Sequence, residues 1–400
     1  MSAVSERINR LDESATLAMT RKSFELKQQG KDVINLSIGE PDFDTPEFIK
    51  DAAKQAIDDN FTHYTAVPGI IELRQAICKK LKRDNNVDYT PEQIVVTTGA
   101  KQALVNTLLS IVNPGDEVII PVPFWVSYSE MVKIAEGTAV YVNAGIDHDF
   151  KITAQQLKEA ITPATKLIML NSPCNPTGSV YTKDEMKALA EVIAEYPDIY
   201  VLSDEIYEHI IFEGKHESFA QFESIKDRVI IVNGVSKGFA MTGWRLGFLA
   251  APLHIAKACN KMQGQFTSAT CSIAQKAAVA AFNANPEETT ELTEMLKKFH
   301  SRRDLLLSLL NDIPGVKTNV PNGAFYLFPD VTYYYGKKHG DQVISDGNDL
   351  CLYLLDKTYV ALVPGSAFGD ENCIRLSYAT SEDNLKEAMR RIKEALAELK

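Results

Sequence analysis

Between about residues 46 and 280 the chain alternates short β-branched runs with stretches whose apolar residues recur at helical spacing, and that alternation admits few folds. Strand, helix and strand in succession call for parallel pairing through helical crossovers, so the expected class is α/β, a mostly parallel sheet flanked by helices. Runs at 93–97, 117–120, 166–170, 199–202, 229–232 and 245–250 are the expected strands. Leu104, Val105, Leu108, Leu109 and Val112 share a stripe, which predicts an amphipathic helix over 100–112 opening straight after the first strand. Beyond about residue 315 the pattern changes to short strands at 324–328, 360–363 and 374–378. A helix follows with Leu385, Ala388, Met389, Ile392, Ala395, Leu396 and Leu399 on one face. Four hundred residues exceed what one core usually organises. The expected organisation is a large domain over 46–314, a smaller α+β domain over 315–400, and an N-terminal segment, 1–45, packing with the smaller one.

A net charge of −11, with both signs interspersed, argues against a nucleic-acid binder or a membrane-surface protein held by general charge attraction. Cys78, Cys174, Cys259, Cys271, Cys351 and Cys373 lie far apart with no C-x-x-C pair, which fits neither a disulfide framework nor a zinc site. They read as reduced thiols of a cytoplasmic protein with no metal centre. The N-terminus is polar and no apolar run approaches the roughly 18 residues that span a bilayer.

Chemistry-bearing residues gather where the expected strands end, the place where open α/β sheets hold ligands. After the first strand, Thr97-Thr98-Gly99-Ala100-Lys101 leads into the helix, and small residues there let free N–H groups meet a phosphate. After the fourth, Ser203-Asp204-Glu205-Ile206-Tyr207 sets an acid and a phenol three apart. A helix N-cap with a first-turn Glu explains the same residues. After the fifth, Lys237 is framed by Ser236 and Gly238, with Arg245 eight positions on. A lysine can capture an aldehyde cofactor as a Schiff base while a carboxylate keeps the cofactor's ring nitrogen protonated. An arginine and a helix N-terminus can hold its phosphate.

With these pieces in place the chain resembles the fold-type I pyridoxal-5′-phosphate (PLP) aminotransferases of class I, in the branch holding bacterial aspartate aminotransferases and their prephenate-using relatives. The motifs are GEPDFDTP (39–46), YTAVPGI (64–70), TTGAKQAL (97–104), NPTG (175–178), SDEIYE (203–208), SKGFAMTGWRLG (236–247) and RLSYATS (375–381). They span essentially the whole chain in family order.

The resemblance implies PLP bound to Lys237, which then shuttles a proton at the substrate α-carbon. It implies Asp204 on the ring nitrogen, Asn175 and Tyr207 on the ring's phenolic oxygen, and Trp125 stacked on the ring. Ala100, Lys101, Ser236 and Arg245, with Gly99 in the same turn, would hold the phosphate, joined by Tyr64 from a second subunit. Arg375 and Gly39 would bind the substrate α-carboxylate. The residues alone leave alternatives open: Arg375 could serve an internal ion pair, Asn175 a turn, and Trp125 and Tyr64 the core.

The implied activity is amino transfer between L-aspartate and 2-oxoglutarate in two half-reactions, by a homodimer with shared sites. Glutamate/aspartate-prephenate transfer is the alternative, and a lyase or decarboxylase on the same scaffold a remoter one. A PLP-sensing regulator needs an attached DNA-binding domain, for which no residues are left over. The stretch 261–272, where relatives supply an arginine for the distal carboxylate, has none. Lys101 is the expected substitute, and Thr16 matches a pocket position of the prephenate-using relatives.

Overall fold

The computed structural model describes residues 4–13 and 15–400. Its centre is a seven-stranded sheet: β1 Ile94–Thr97, β2 Glu117–Val122, β3 Thr138–Asn143, β4 Thr165–Asn171, β5 Tyr200–Asp204, β6 Val229–Gly234 and β7 Gly247–Ala250. The spatial order is β1-β7-β6-β5-β4-β2-β3, and β7 runs antiparallel to both of its neighbours while the other pairings are parallel. Strands β1, β5, β6 and β7 are almost continuously buried, as expected of a sheet covered on both faces.

All six expected strands appear within two residues of their expected limits at either end. The last of them, β7, begins at Gly247, and Arg245 sits before it with φ 53°, in the left-handed region. The edge strand β3 was not anticipated, because only one of its six residues is buried and its apolar signal is weak. The helix after β1 spans Ala100–Ile111, one residue short of expectation. No helix follows β5. The residues after Asp204 form a turn, so the N-cap reading of Ser203 and Asp204 fails; Asp204 instead accepts from the Ile206 N–H at 3.3 Å.

The run at 360–363 divides. Val360–Ala361 pairs in parallel with Ile34–Asn35, whereas Val363–Pro364 pairs antiparallel with Ile374–Ser377, which also pairs with Tyr326–Leu327. The N-terminal segment thus joins the C-terminal elements directly. The final helix, Glu382–Ala397, is capped by Ser381 Oγ accepting from Asn384 N and buries the expected stripe. All six cysteines are free. Among the described residues no helix is long and apolar enough to cross a membrane.

Candidate active site

Parallel strands β1, β2, β4, β5 and β6 end on one edge of the sheet, and the reversed β7 starts there. That reversal is why Arg245, just before β7, lies beside Thr97 and Gly99, just after β1. The approach is close enough to forbid side chains. A Cβ on Gly99 would collide with the Arg245 guanidinium, and one on Gly247 with the backbone nitrogen of Ala100. Gly99 also has φ 78°, which glycine adopts without strain. Ala100 and Lys101 open the helix Ala100–Ile111, whose Gly99 cap offers no side-chain bond to its first N–H groups.

A cavity of about 290 Å³ occupies this edge. It is lined by Gly39, Ala100, Lys101, Trp125, Asn175, Asp204, Tyr207, Ser236, Lys237, Arg245 and Arg375, and also by Thr16. The fold therefore converges nearly every expected site residue, drawn from positions 16 to 375. Gly99 supports the cavity from behind. Tyr64 lies elsewhere, with its side chain almost wholly exposed.

The cavity's electrostatics are lopsided. Lys101, Lys237, Arg245 and Arg375 face a single lining carboxylate, Asp204, and none of the four forms an ion pair among the described residues. The Lys237 ammonium donates to the Gly39 carbonyl at 2.6 Å, and desolvation holds its pKa down at about 8. Asp204 is buried at the end of β5, and burial pushes its carboxyl up to about 6 against hydrogen bonds from Tyr128 and the Ile206 N–H. Lys101 is lowered by desolvation and by Arg245, its ammonium 4.8 Å from the centre of the Trp125 ring.

Arg375 is 1% exposed, and burial lowers its pKa. Its Nη1 donates to Asn175 Oδ1 at 2.9 Å, its Nη2 to the Ser37 carbonyl at 2.6 Å, and its Nε has no partner among the described residues. No internal ion pair accounts for it. The guanidinium packs over the Tyr326 and Phe368 rings instead. Asn175 Nδ2 reaches Tyr207 Oη at 3.5 Å, and Tyr207 Oη lies 2.8 Å from Tyr326 Oη.

Three residues of the site lay outside the sequence reading. Tyr128 donates to Asp204 Oδ2 at 2.7 Å. Asn171 closes the end of β4, donating to the Asp204 carbonyl at 2.9 Å and accepting from the Asn175 N–H at 2.8 Å. Tyr326 supports Gly39, where a Cβ would come within 2.7 Å of its hydroxyl. A tyrosine three residues after Trp125 was the available signal for Tyr128; nothing local distinguishes Tyr326 from core.

Comparison with known proteins agrees with this geometry. The family model described as aminotransferase class I and II matches residues 31–392. A Petunia hybrida bifunctional aspartate aminotransferase and glutamate/aspartate-prephenate aminotransferase is 48% identical over 400 residues, covering 100% of this chain and 84% of that protein. An aspartate/prephenate aminotransferase of Nitrosomonas europaea is 46% identical, covering 98% of this chain and 100% of the relative. The crystal structure of the aspartate aminotransferase from Rhizobium meliloti superposes with a TM-score of 0.96 at 43% identity, covering 100% of both chains. The Thermus thermophilus aspartate aminotransferase with maleate gives 0.93 at 40% identity, covering 99% of this chain and 100% of that one.

Proposed function

The chain belongs to the class I and II aminotransferases, and on that premise we propose that it is a PLP enzyme moving amino groups between L-aspartate and 2-oxoglutarate. The observation that carries this reading is the set of four unpaired cations around one buried acid, with Arg375 wholly desolvated. Such a pocket suits a ligand set with a phosphate and carboxylates, and the donors present fit PLP.

When bound, PLP supplies an aldehyde that captures amino groups and a ring that withdraws electrons. Lys237, whose amine is partly neutral near pH 8, holds the cofactor and then takes and returns a proton at the substrate α-carbon. Asp204 holds a proton on the ring nitrogen, while Asn175 and Tyr207 hydrogen-bond the phenolic oxygen. The N–H groups of Ala100 and Lys101, with Ser236 and Arg245, bind the phosphate beside the bare Gly99. Trp125 covers the ring. Arg375 and the Gly39 backbone hold the α-carboxylate.

Lys101 is our choice for the distal carboxylate, because its ammonium stands at the cavity beside Trp125 with no anion of its own. Thr16 in the cavity lining favours a second reading, in which prephenate is also accepted. We further propose a homodimer in which Tyr64 completes the partner's phosphate site, and a division into a large domain over 46–314 with 1–45 joined to 315–400. The Ile34–Val360 pairing supports the latter. The free cysteines support a cytoplasmic, reducing location.

The test is product analysis with aspartate and 2-oxoglutarate. Stoichiometric oxaloacetate and glutamate support amino transfer, whereas release of ammonia or carbon dioxide would place the chain among the lyases of this scaffold.

A further inference from the structure

Tyr128 lies in none of the motifs that define the site, yet among the described residues it makes the sole side-chain hydrogen bond to the Asp204 carboxylate. It is 2% exposed and is the second residue of the helix Ser127–Ile134. Trp125, three positions earlier, packs edge to face against it with ring centroids 5.6 Å apart. One turn of chain therefore sets Trp125 at the cavity and Tyr128 behind its acid.

The other groups facing Asp204 make no side-chain hydrogen bond to it. Lys237 donates to the Gly39 carbonyl and favours the Asp204 charge only through space, and Glu205, a like charge, is occupied by Ser203, Ser218 and His216. Tyr207 shares its hydroxyl with Tyr326, and the Cys174 thiol, its pKa raised by desolvation, faces the Pro123 carbonyl. The Ile206 N–H, at 3.3 Å, touches the other oxygen, Oδ1. A carboxylate this buried stays ionised only if something donates to it.

We propose that Tyr128 is a positioning residue that keeps Asp204 ionised and its carboxylate fixed in rotation, so that a proton shared with a bound pyridine ring sits on the ring nitrogen rather than on the acid. The proposal rests on the reading of Asp204 given above. Without the phenol's hydrogen bond the shared proton shifts towards the Asp204 carboxylate, and the ring nitrogen carries less of it.

Two measurements test this on wild type, Tyr128→Phe and Asp204→Asn. In cofactor-free protein, the infrared C=O stretch of protonated Asp204, identified by its loss in Asp204→Asn, gives the acid's titration midpoint. Loss of one charge-assisted bond is expected to raise the midpoint in Tyr128→Phe by roughly one pH unit, a tenfold change in acidity. In protein loaded with PLP carrying ¹⁵N in the ring, the nitrogen shift is expected in its protonated range for wild type and its bare range for Asp204→Asn. Tyr128→Phe should fall between them. Tyr128→Phe keeps the packed ring; should it not fold, a fluorinated tyrosine at 128, a stronger donor, is expected to lower the midpoint. A wild-type midpoint and a wild-type nitrogen shift in Tyr128→Phe, or no downward movement with the fluorinated ring, would overturn the proposal. A protonated nitrogen in Asp204→Asn would overturn the role of Asp204 itself.

Discussion

The ammonium of Lys80, wholly buried on the helix Ile71–Asn85, forms an ion pair with Glu208, the residue directly after Tyr207. Asn85 and Asn233 donate to the same carboxylate at 3.0 and 2.7 Å, so a helix and β6 together anchor the turn that carries Asp204 and Tyr207. Glu205 and His216 lie near enough to Glu208 to suggest a metal site, but Lys80 already neutralises Glu208 and two serines hold Glu205. Burial pushes the Glu208 carboxyl up, and the charges of Lys80, His209 and His216 outweigh it, holding the pKa at about 2. A depressed carboxyl stabilises the fold above its unfolded pKa and loses that contribution as pH falls towards 2.

Lys80→Met leaves Glu208 buried and unpaired, and the expected loss is about 3–5 kcal/mol in chemical denaturation. Adding Glu208→Gln should recover part of it. A single variant as stable as wild type would show that water reaches this pair.

Asp204 works with the opposite sign. Its pKa rises from the ordinary aspartate value of 3.8 to about 6, so the folded chain binds its proton more tightly and stability falls as pH climbs through that window. Each tenfold in acidity is about 1.4 kcal/mol, which makes Asp204→Asn stabilising in cofactor-free protein by roughly 3 kcal/mol at pH 8. The gain should vanish near pH 4. Equal gains at both pH values would point to packing rather than charge.

Borohydride reduction of the loaded protein followed by peptide mapping should place the cofactor on Lys237, because its amine, desolvated beside the Gly39 carbonyl, is held down to a pKa of about 8. Lys237→Ala should abolish multiple turnover. Label on another lysine would displace the assignment.

Substrate choice turns on Lys101. Lys101→Ser should lower kcat/KM for aspartate by about tenfold or more while sparing an uncharged aromatic amino acid, as expected for loss of one charge-assisted contact. An equal fall for both would make Lys101 a cofactor-binding residue.

Tyr64 is 98% exposed on the single chain, an unusual position for an aromatic ring that the motif reading assigns to a phosphate site. Sedimentation should show a dimer, and Tyr64→Phe should weaken PLP binding without changing it to a monomer. A fully active monomer would end the shared-site reading.

Strand positions, the helix after β1 and the strand-end residues Asp204, Lys237 and Arg245 were legible in the chain itself, because period-two and helical spacing and turn chemistry are local properties, whereas Arg375 came only from the family motif. So were the motifs. What local pattern could not decide is which strand runs backwards: reversal of β7 sets Arg245 beside Gly99 and Ala100, and that depends on pairing between residues some 150 positions apart. The strand β3 escaped because an edge strand buries too little to carry an apolar signal. The fate of Arg375 was open between an internal ion pair and a carboxylate clamp until the fold showed it desolvated with no ion-pair partner among the described residues. Tyr128 and Tyr326 read as ordinary aromatics, since a phenol acquires a role only from what the folded chain brings against its hydroxyl: Asp204 for one and Tyr207 for the other.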